Sequence, residues 1–83
     1  MLWYVYVLYS PSSRRFYTGM TKDLERRIQE HNTGKTKSTK GFRPWKLVYS
    51  EVAEDRVSAR NRESFLKSGI GREWIRKRLN EAS

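Results

Sequence analysis

The chain has 83 residues and no cysteine, and its 18 Lys+Arg against 9 Asp+Glu give a formal charge of +9. A chain of this length buries only roughly 60% of its unfolded surface, so it is expected to form a single domain over residues 1–83, with one small core and no enclosed substrate chamber. The missing cysteine excludes disulfides, thiolate zinc sites, iron–sulfur clusters and a thiol nucleophile, and leaves the cytoplasm as the default compartment.

Residues Trp3 to Tyr9 (WYVYVLY) are β-branched and aromatic. A two-residue period puts Trp3, Val5, Val7 and Tyr9 on one face and Tyr4, Tyr6 and Leu8 on the other; both are apolar enough for a central strand. The run is far shorter than the roughly 20 residues of a membrane span and has no basic segment before it, so neither a span nor a signal peptide is expected. Ser10-Pro11-Ser12-Ser13 has turn chemistry, and Phe16 to Met20 resumes an extended pattern, which gives a hairpin with Tyr6 and Tyr17 on neighbouring strands.

Asp23 or Thr21 as N-cap, Glu25 in a first turn and Gly34 as a left-handed stop bracket a helix from about Asp23 to Thr33, with Leu24, Ile28 and His31 on one stripe. Gly34 to Pro44 reads as a loop, Trp45 to Glu51 as a third strand, and Glu54 to Lys67 as a second helix. Gly69 and Gly71 are expected to break that helix before a last short basic one organised by Trp74, Ile75 and Leu79. The expected fold is α+β, with a small three-stranded antiparallel sheet flanked by helices in the order ββαβαα.

The charge asks for an anionic partner, and 13% aromatic with 36% hydrophobic content describes a folded basic domain, not a polycationic tail. Nucleic acid leads. The excess is local, since Lys35, Lys37, Lys40, Arg43 and Lys46 lie between His31 and Ser50 with no acid among them.

Three groups could carry chemistry. His31, the only histidine, follows Arg27 by four residues and shares its helix face; it is either a helix-end group satisfying carbonyls or part of a site. Glu63 projects with Ala59, Leu66 and Ile70 onto an apolar stripe, where a charge needs a metal ion or a cation, Arg60 and Lys67 being at salt-bridge spacing. Tyr6 and Tyr17 are either core aromatics or, with the other groups, one constellation converging on one sheet face. No cluster of acids suggests a two-metal centre.

Tyr4-Val5-Tyr6, then Tyr17-Thr18-Gly19, then Thr21 to Asn32 (TKDLERRIQEHN) and a later Arg62-Glu63 resemble the GIY-YIG nuclease superfamily, in particular its small stand-alone bacterial members. The resemblance covers nearly the whole chain and includes Arg43-Pro44-Trp45. Tyr4 stands where the family name has Gly, Thr18 where it has Ile, and no Asn falls at the distance after Glu63 used by several members; Asn80 is somewhat late. The resemblance implies that Tyr6 acts on the attacking water as base or orienter, that Tyr17 positions water or phosphate, and that Arg27 contacts the scissile phosphate. It implies further that His31 supports Arg27 or relays a proton, and that Glu63 binds one divalent ion, Mg²⁺ or Mn²⁺. Lys35, Lys37, Lys40, Arg43 and Lys46 would add phosphate contacts that hold a strand without reading sequence.

The expected function is a Mg²⁺-dependent endonuclease acting on DNA, structure-selective or weakly specific, in repair or recombination, and working as a monomer or weak dimer without a membrane. The alternative is a nucleic-acid-binding module that keeps the fold with little or no catalysis. A basic adaptor for protein or an anionic membrane fits less well, because the terminal basic helix is short and the aromatics belong to strands.

Overall fold

The computed structural model describes residues 2–82, with side chains to residue 80. In chain order it contains strands β1 (Trp3–Ser10) and β2 (Arg15–Thr21), helix α1 (Leu24–Asn32), a 3-10 turn over Lys40–Phe42, strand β3 (Lys46–Ala53), and helices α2 (Arg56–Lys67) and α3 (Gly69–Ala82). The α+β class, the three strands and the ββαβαα order are therefore as the sequence predicts. The sheet order is β2-β1-β3, with β1 antiparallel to both neighbours. None of the described helices is long and apolar enough to cross a membrane.

β1 is the middle strand because both its faces are apolar, and two cores grow from the alternation. Val5 and Val7 pack with Ala53, Ala59, Leu66 and Ile75 beneath α2 and α3. Tyr6 and Leu8 pack with Trp45 on the other face, covered by Leu24 and Ile28 of α1 and by Phe42. Burying each such Val or Leu side chain stabilises the fold by about 1.5–3 kcal/mol, so the sheet is held from both sides. A bulge between Val7 and Leu8 in the pairing with β3 lets Val48 and Tyr49 both pack on the α2/α3 side.

Local chemistry sets the boundaries. The Asp23 carboxylate accepts from the Arg26 N–H and the Asp55 carboxylate from the Ser58 N–H, capping α1 and α2. In the hairpin turn Ser10 Oγ accepts from Ser13 Oγ and donates to the Phe42 carbonyl at 2.7 Å, tying the turn to the 3-10 segment. Asn32 fastens the end of α1 to the start of β3: its Nδ2 donates to the Trp45 carbonyl at 3.0 Å, and the Trp45 N–H donates to its Oδ1 at 2.6 Å.

Two expectations about the C-terminal third need correction. The break after α2 falls at Ser68, and Gly69 and Gly71 lie inside the first turn of α3, a helix of 14 residues. Ser68 Oγ donates to the Phe65 carbonyl and accepts from the Gly71 N–H, which turns the chain between the two helices. Gly71 is needed there for space, since a Cβ would lie 1.8 Å from the Phe65 carbonyl oxygen. Because α2 ends before it, Ile70 leaves the apolar stripe and is 77% exposed, whereas Ala59 and Leu66 are buried as expected.

Candidate active site

Tyr6 pairs with Gly19 across the β1–β2 ladder, and its ring passes over that glycine. A Cβ at Gly19 would lie 2.5 Å from Tyr6 Oη and 2.7 Å from Cζ, so only glycine leaves the phenol its place. Gly19→Ala is expected to displace the ring, costing about 1–3 kcal/mol by overpacking, and to remove whatever activity depends on the hydroxyl. Thermal unfolding and a cleavage assay on the same variant check both effects.

The Tyr6 hydroxyl lies 3.0 Å from His31 Nε2, and His31 Nδ1 lies 2.8 Å from Thr39 Oγ1. Thr39 Oγ1 spends its single proton on the Thr36 carbonyl at 3.3 Å. It therefore accepts from Nδ1–H, which assigns the imidazole tautomer and leaves Nε2 to accept from Tyr6. Both ends of the imidazole are thus occupied inside the protein. His31 is 0% exposed, so it is not a helix-end group satisfying carbonyls. Burial holds its pKa below the ordinary histidine value, repulsion by Arg27 acts in the same direction, and Glu30 opposes them. The ring is neutral at pH 7, as the hydrogen-bond chain requires.

Burial also raises Tyr6, to about 12. The Arg27 guanidinium beside the hydroxyl works against that rise, while Tyr17 and the negative charge of Glu63 add to it. Tyr17 completes an aromatic group, its ring centroid 6.4 Å from that of Tyr6 and 4.8 Å from that of His31. Arg27, one third exposed, is held by Glu30 at 3.0 Å, and Arg26 shares the same carboxylate at 3.5 Å.

Tyr6, Tyr17, Arg27 and His31 therefore gather on the α1 side of the sheet. Glu63 is carried by α2, whose Ala59 and Leu66 pack on the Val5 and Val7 face of the sheet. β1 presents apolar residues on both sides, so each helix has its own face to cover. Glu63 nevertheless acts electrostatically on Tyr6. Its carboxylate lies 3.3 Å from Lys67 Nζ and 3.8 Å from Arg60 Nε, so the ion pairs expected from the spacing are present.

Among the described residues no group of three or more His, Cys, Asp or Glu could hold a metal ion. The donor chemistry fits an ion that takes one carboxylate and keeps water for the rest, which is the habit of Mg²⁺. Glu63 would be that hard oxygen donor, and a cation binding there would replace Lys67 as its partner.

Lys35, Lys37, Lys40, Arg43 and Lys46 are all exposed, and none forms a salt bridge among the described residues. The segment carrying them is nonetheless anchored: Trp45 Nε1 donates to the Thr39 carbonyl at 2.9 Å, and Arg43 Nε donates to the Lys40 carbonyl at 2.8 Å. Thr39 and Glu30 are site residues that sequence reasoning missed. A buried histidine needing two partners would have pointed to the first, and three-residue spacing from Arg27 to the second.

A family model described as the GIY-YIG catalytic domain matches residues 2–80. A UPF0213 protein of Syntrophus aciditrophicus is 44% identical over 66 residues, covering 77% of this chain and 75% of that protein. One of Clostridium perfringens is 45% identical over 65 residues, covering 77% and 69%. Among solved structures, the solution NMR structure of a UPF0213 protein from Bacillus halodurans superposes with a TM-score of 0.57 at 34% identity, covering 93% of this chain and 84% of that one.

Proposed function

The chain belongs to the GIY-YIG family, a nuclease family, and on that footing we propose that it is a divalent-metal-dependent endonuclease hydrolysing phosphodiester bonds in DNA. The observation that carries this reading is the buried chain from the Tyr6 hydroxyl through His31 to Thr39, with the Arg27 guanidinium beside it.

That chain gives the proton of an attacking water a route. The water oxygen bonds to phosphorus while its proton passes to Tyr6 Oη, as the proton of Tyr6 moves to His31 Nε2; the bond from phosphorus to the leaving oxygen then breaks, its electron pair stays on that oxygen, and the oxygen takes a proton from solvent water. With Tyr6 near 12, only about one molecule in 10⁵ holds a phenolate at pH 7, so the transfers coincide with attack. Burial and Arg27 disfavour an imidazolium, which returns the proton afterwards. Arg27 offsets charge building on the phosphate oxygens, for which it must leave Glu30, and Tyr17 closes the aromatic wall of the site. Glu63 would hold one Mg²⁺ or Mn²⁺, which supplies Lewis-acid polarisation of the phosphate when bound.

The exposed cations between Lys35 and Lys46 hold the backbone without reading bases, which suits a cytoplasmic enzyme with weak sequence preference in DNA repair or recombination. One site per chain means that cutting both strands takes two encounters or two copies of the chain. Lys37→Ala and Lys40→Ala are each expected to weaken DNA binding and to reduce the salt slope of log K by about 0.9 for each phosphate no longer neutralised, measured by anisotropy between about 50 and 200 mM salt. An unchanged slope in both variants removes the segment from the interface.

The direct test is nicking of plasmid, branched and single-stranded DNA with Mg²⁺ or Mn²⁺ and its suppression by chelator. The second reading, a binding module without turnover, draws on the ion pairs that occupy Glu63 and Arg27. It is the conclusion if DNA is bound and none of these substrates is cut.

A further inference from the structure

Cations and acids sort along the strand axis. Asp23 and Glu25 follow the end of β2 at Thr21, which pairs with Tyr4, and Glu54 and Asp55 follow the end of β3 at Ala53, which pairs with Trp3; these four acids therefore lie where β1 begins. The opposite end, where β1 runs into the hairpin turn, holds Arg14 and Arg15, and Lys46 pairs there with Tyr9. Arg14, Arg15, Lys67, Arg72 and Arg76 line one cleft between this turn and the α2/α3 corner, with no acid among its lining residues.

The hairpin turn joins that group to the basic segment on the Tyr6 and Leu8 face of the sheet. Arg15 lays its guanidinium over the Phe42 ring at 4.5 Å, and Ser10 Oγ donates to the Phe42 carbonyl at 2.7 Å, so turn and 3-10 segment are fastened together. A guanidinium stacked by its face keeps its edge N–H groups for an oxyanion. Among the described residues Arg14, Arg15 and Arg72 have no ion-pair partner, and Arg76 meets only the exposed Glu73, at 3.7 Å. Arg14 occupies the left-handed region with φ 56°, a conformation that glycine adopts more cheaply, so the turn keeps a guanidinium at a conformational cost.

We infer that Arg14, Arg15, Arg72 and Arg76 continue the Lys35–Lys46 segment into one belt that carries the phosphate backbone of a double-stranded DNA arm, with the hairpin turn as its middle. The belt crosses one end of a domain whose longest extent is 30 Å, less than the roughly 34–36 Å of one turn of duplex. Over that span a duplex offers one negative charge per about 1.7 Å, and separate exposed cations match such a repeat. Side chains that end in positive charge neutralise phosphates and carry no base code, so the belt sets where the arm lies and not what its sequence is. The inference rests on the nuclease reading only in taking DNA as the polyanion, and it adds the path of the duplex.

The test is anisotropy with a labelled duplex of about 16 base pairs and chelator present, so that turnover does not enter. Wild type is expected to bind one duplex per chain. Arg72→Ala/Arg76→Ala, at two exposed positions, should lower affinity about tenfold near 100 mM salt and reduce the salt slope of log K by about 1.8, about 0.9 for each of two phosphates. Adding Lys37→Ala/Lys40→Ala should double that reduction on the same complex. Arg14→Gly should lower affinity about threefold or more while melting at or above the wild-type temperature, because glycine takes the turn conformation without steric cost; it keeps the result readable if the double variant is unstable. Two duplexes per chain, wild-type affinity in both Arg14→Gly and the α3 variant, or binding to anionic lipid vesicles in place of the duplex overturns the inference. Binding weakened as stated, in a protein that cuts no substrate, supports the belt and removes only the nuclease reading.

Discussion

Replacing Tyr6 with phenylalanine is expected to lower DNA cleavage by about 10²–10⁴-fold while leaving DNA affinity almost unchanged. The ring keeps its packing over Gly19, so only the hydroxyl hydrogen-bonded to His31 is lost. Leaving Nε2 of a buried imidazole without its donor costs about 1–3 kcal/mol, so a modest fall in the unfolding midpoint accompanies the loss of turnover. Glu63→Gln should match it in turnover, and added Mg²⁺ should not restore cutting, because a neutral amide is a poor ligand for a hard cation. Single-turnover assays on a nicked or branched substrate, paired with anisotropy, separate chemistry from binding. Cleavage by Tyr6→Phe within a factor of about three of wild type would remove Tyr6 from the chemistry.

The second large effect concerns stability. His31→Ala empties a fully buried position and orphans both the Tyr6 hydroxyl and Thr39 Oγ1, at an expected cost of about 3–5 kcal/mol. A domain of this size has a total stability of roughly 5–10 kcal/mol, so the variant sits near its unfolding threshold at 37 °C. The same histidine makes stability depend on pH. Its folded pKa is depressed by burial first and by Arg27 second, so near its ordinary value of 6.5 the unfolded chain binds the proton more readily. The stabilisation is complete above about pH 6.5 and is lost as pH falls toward the folded pKa. Glu51, whose carboxyl is held below its ordinary value chiefly by hydrogen bonding to Arg62, loses its contribution in a more acid window, so the two are separable. Chemical denaturation between pH 5 and pH 7 should give a positive slope that His31→Gln flattens; equal slopes would mean that the imidazole titrates alike in both states.

The N-terminal half was legible because its punctuation is local. Asp23 caps α1 as its position implies, and the period of Trp3–Tyr9 separates the residues of the two cores. A strand apolar on both faces cannot say which helix covers which face; the structure sets Leu24 and Ile28 of α1 over Tyr6 and Ala59 and Leu66 of α2 over Val5 and Val7. The end of α2 was hidden because Ser68 makes the break through its hydroxyl, while the glycines that suggested one are inside α3. Thr39 carried no signal in a polar segment, since its role exists only once His31 is buried beside it. The linear charge map missed the second cationic focus, which draws Arg14, Lys67, Arg72 and Arg76 from stretches that hold acids as well.

The anchoring of the basic segment ties two equilibria together. Thr39 accepts from the imidazole with its hydroxyl and from the Trp45 indole with its carbonyl, so it belongs to the basic segment and to the buried hydrogen-bond chain at once. A strand that shifts this segment on binding changes what Nδ1 donates to, and with it the ability of Nε2 to take a proton. By reciprocity, protonating His31 must alter the affinity for the strand by the same factor. Occupancy and proton uptake are then two readings of one coupling constant, measurable by titrating either.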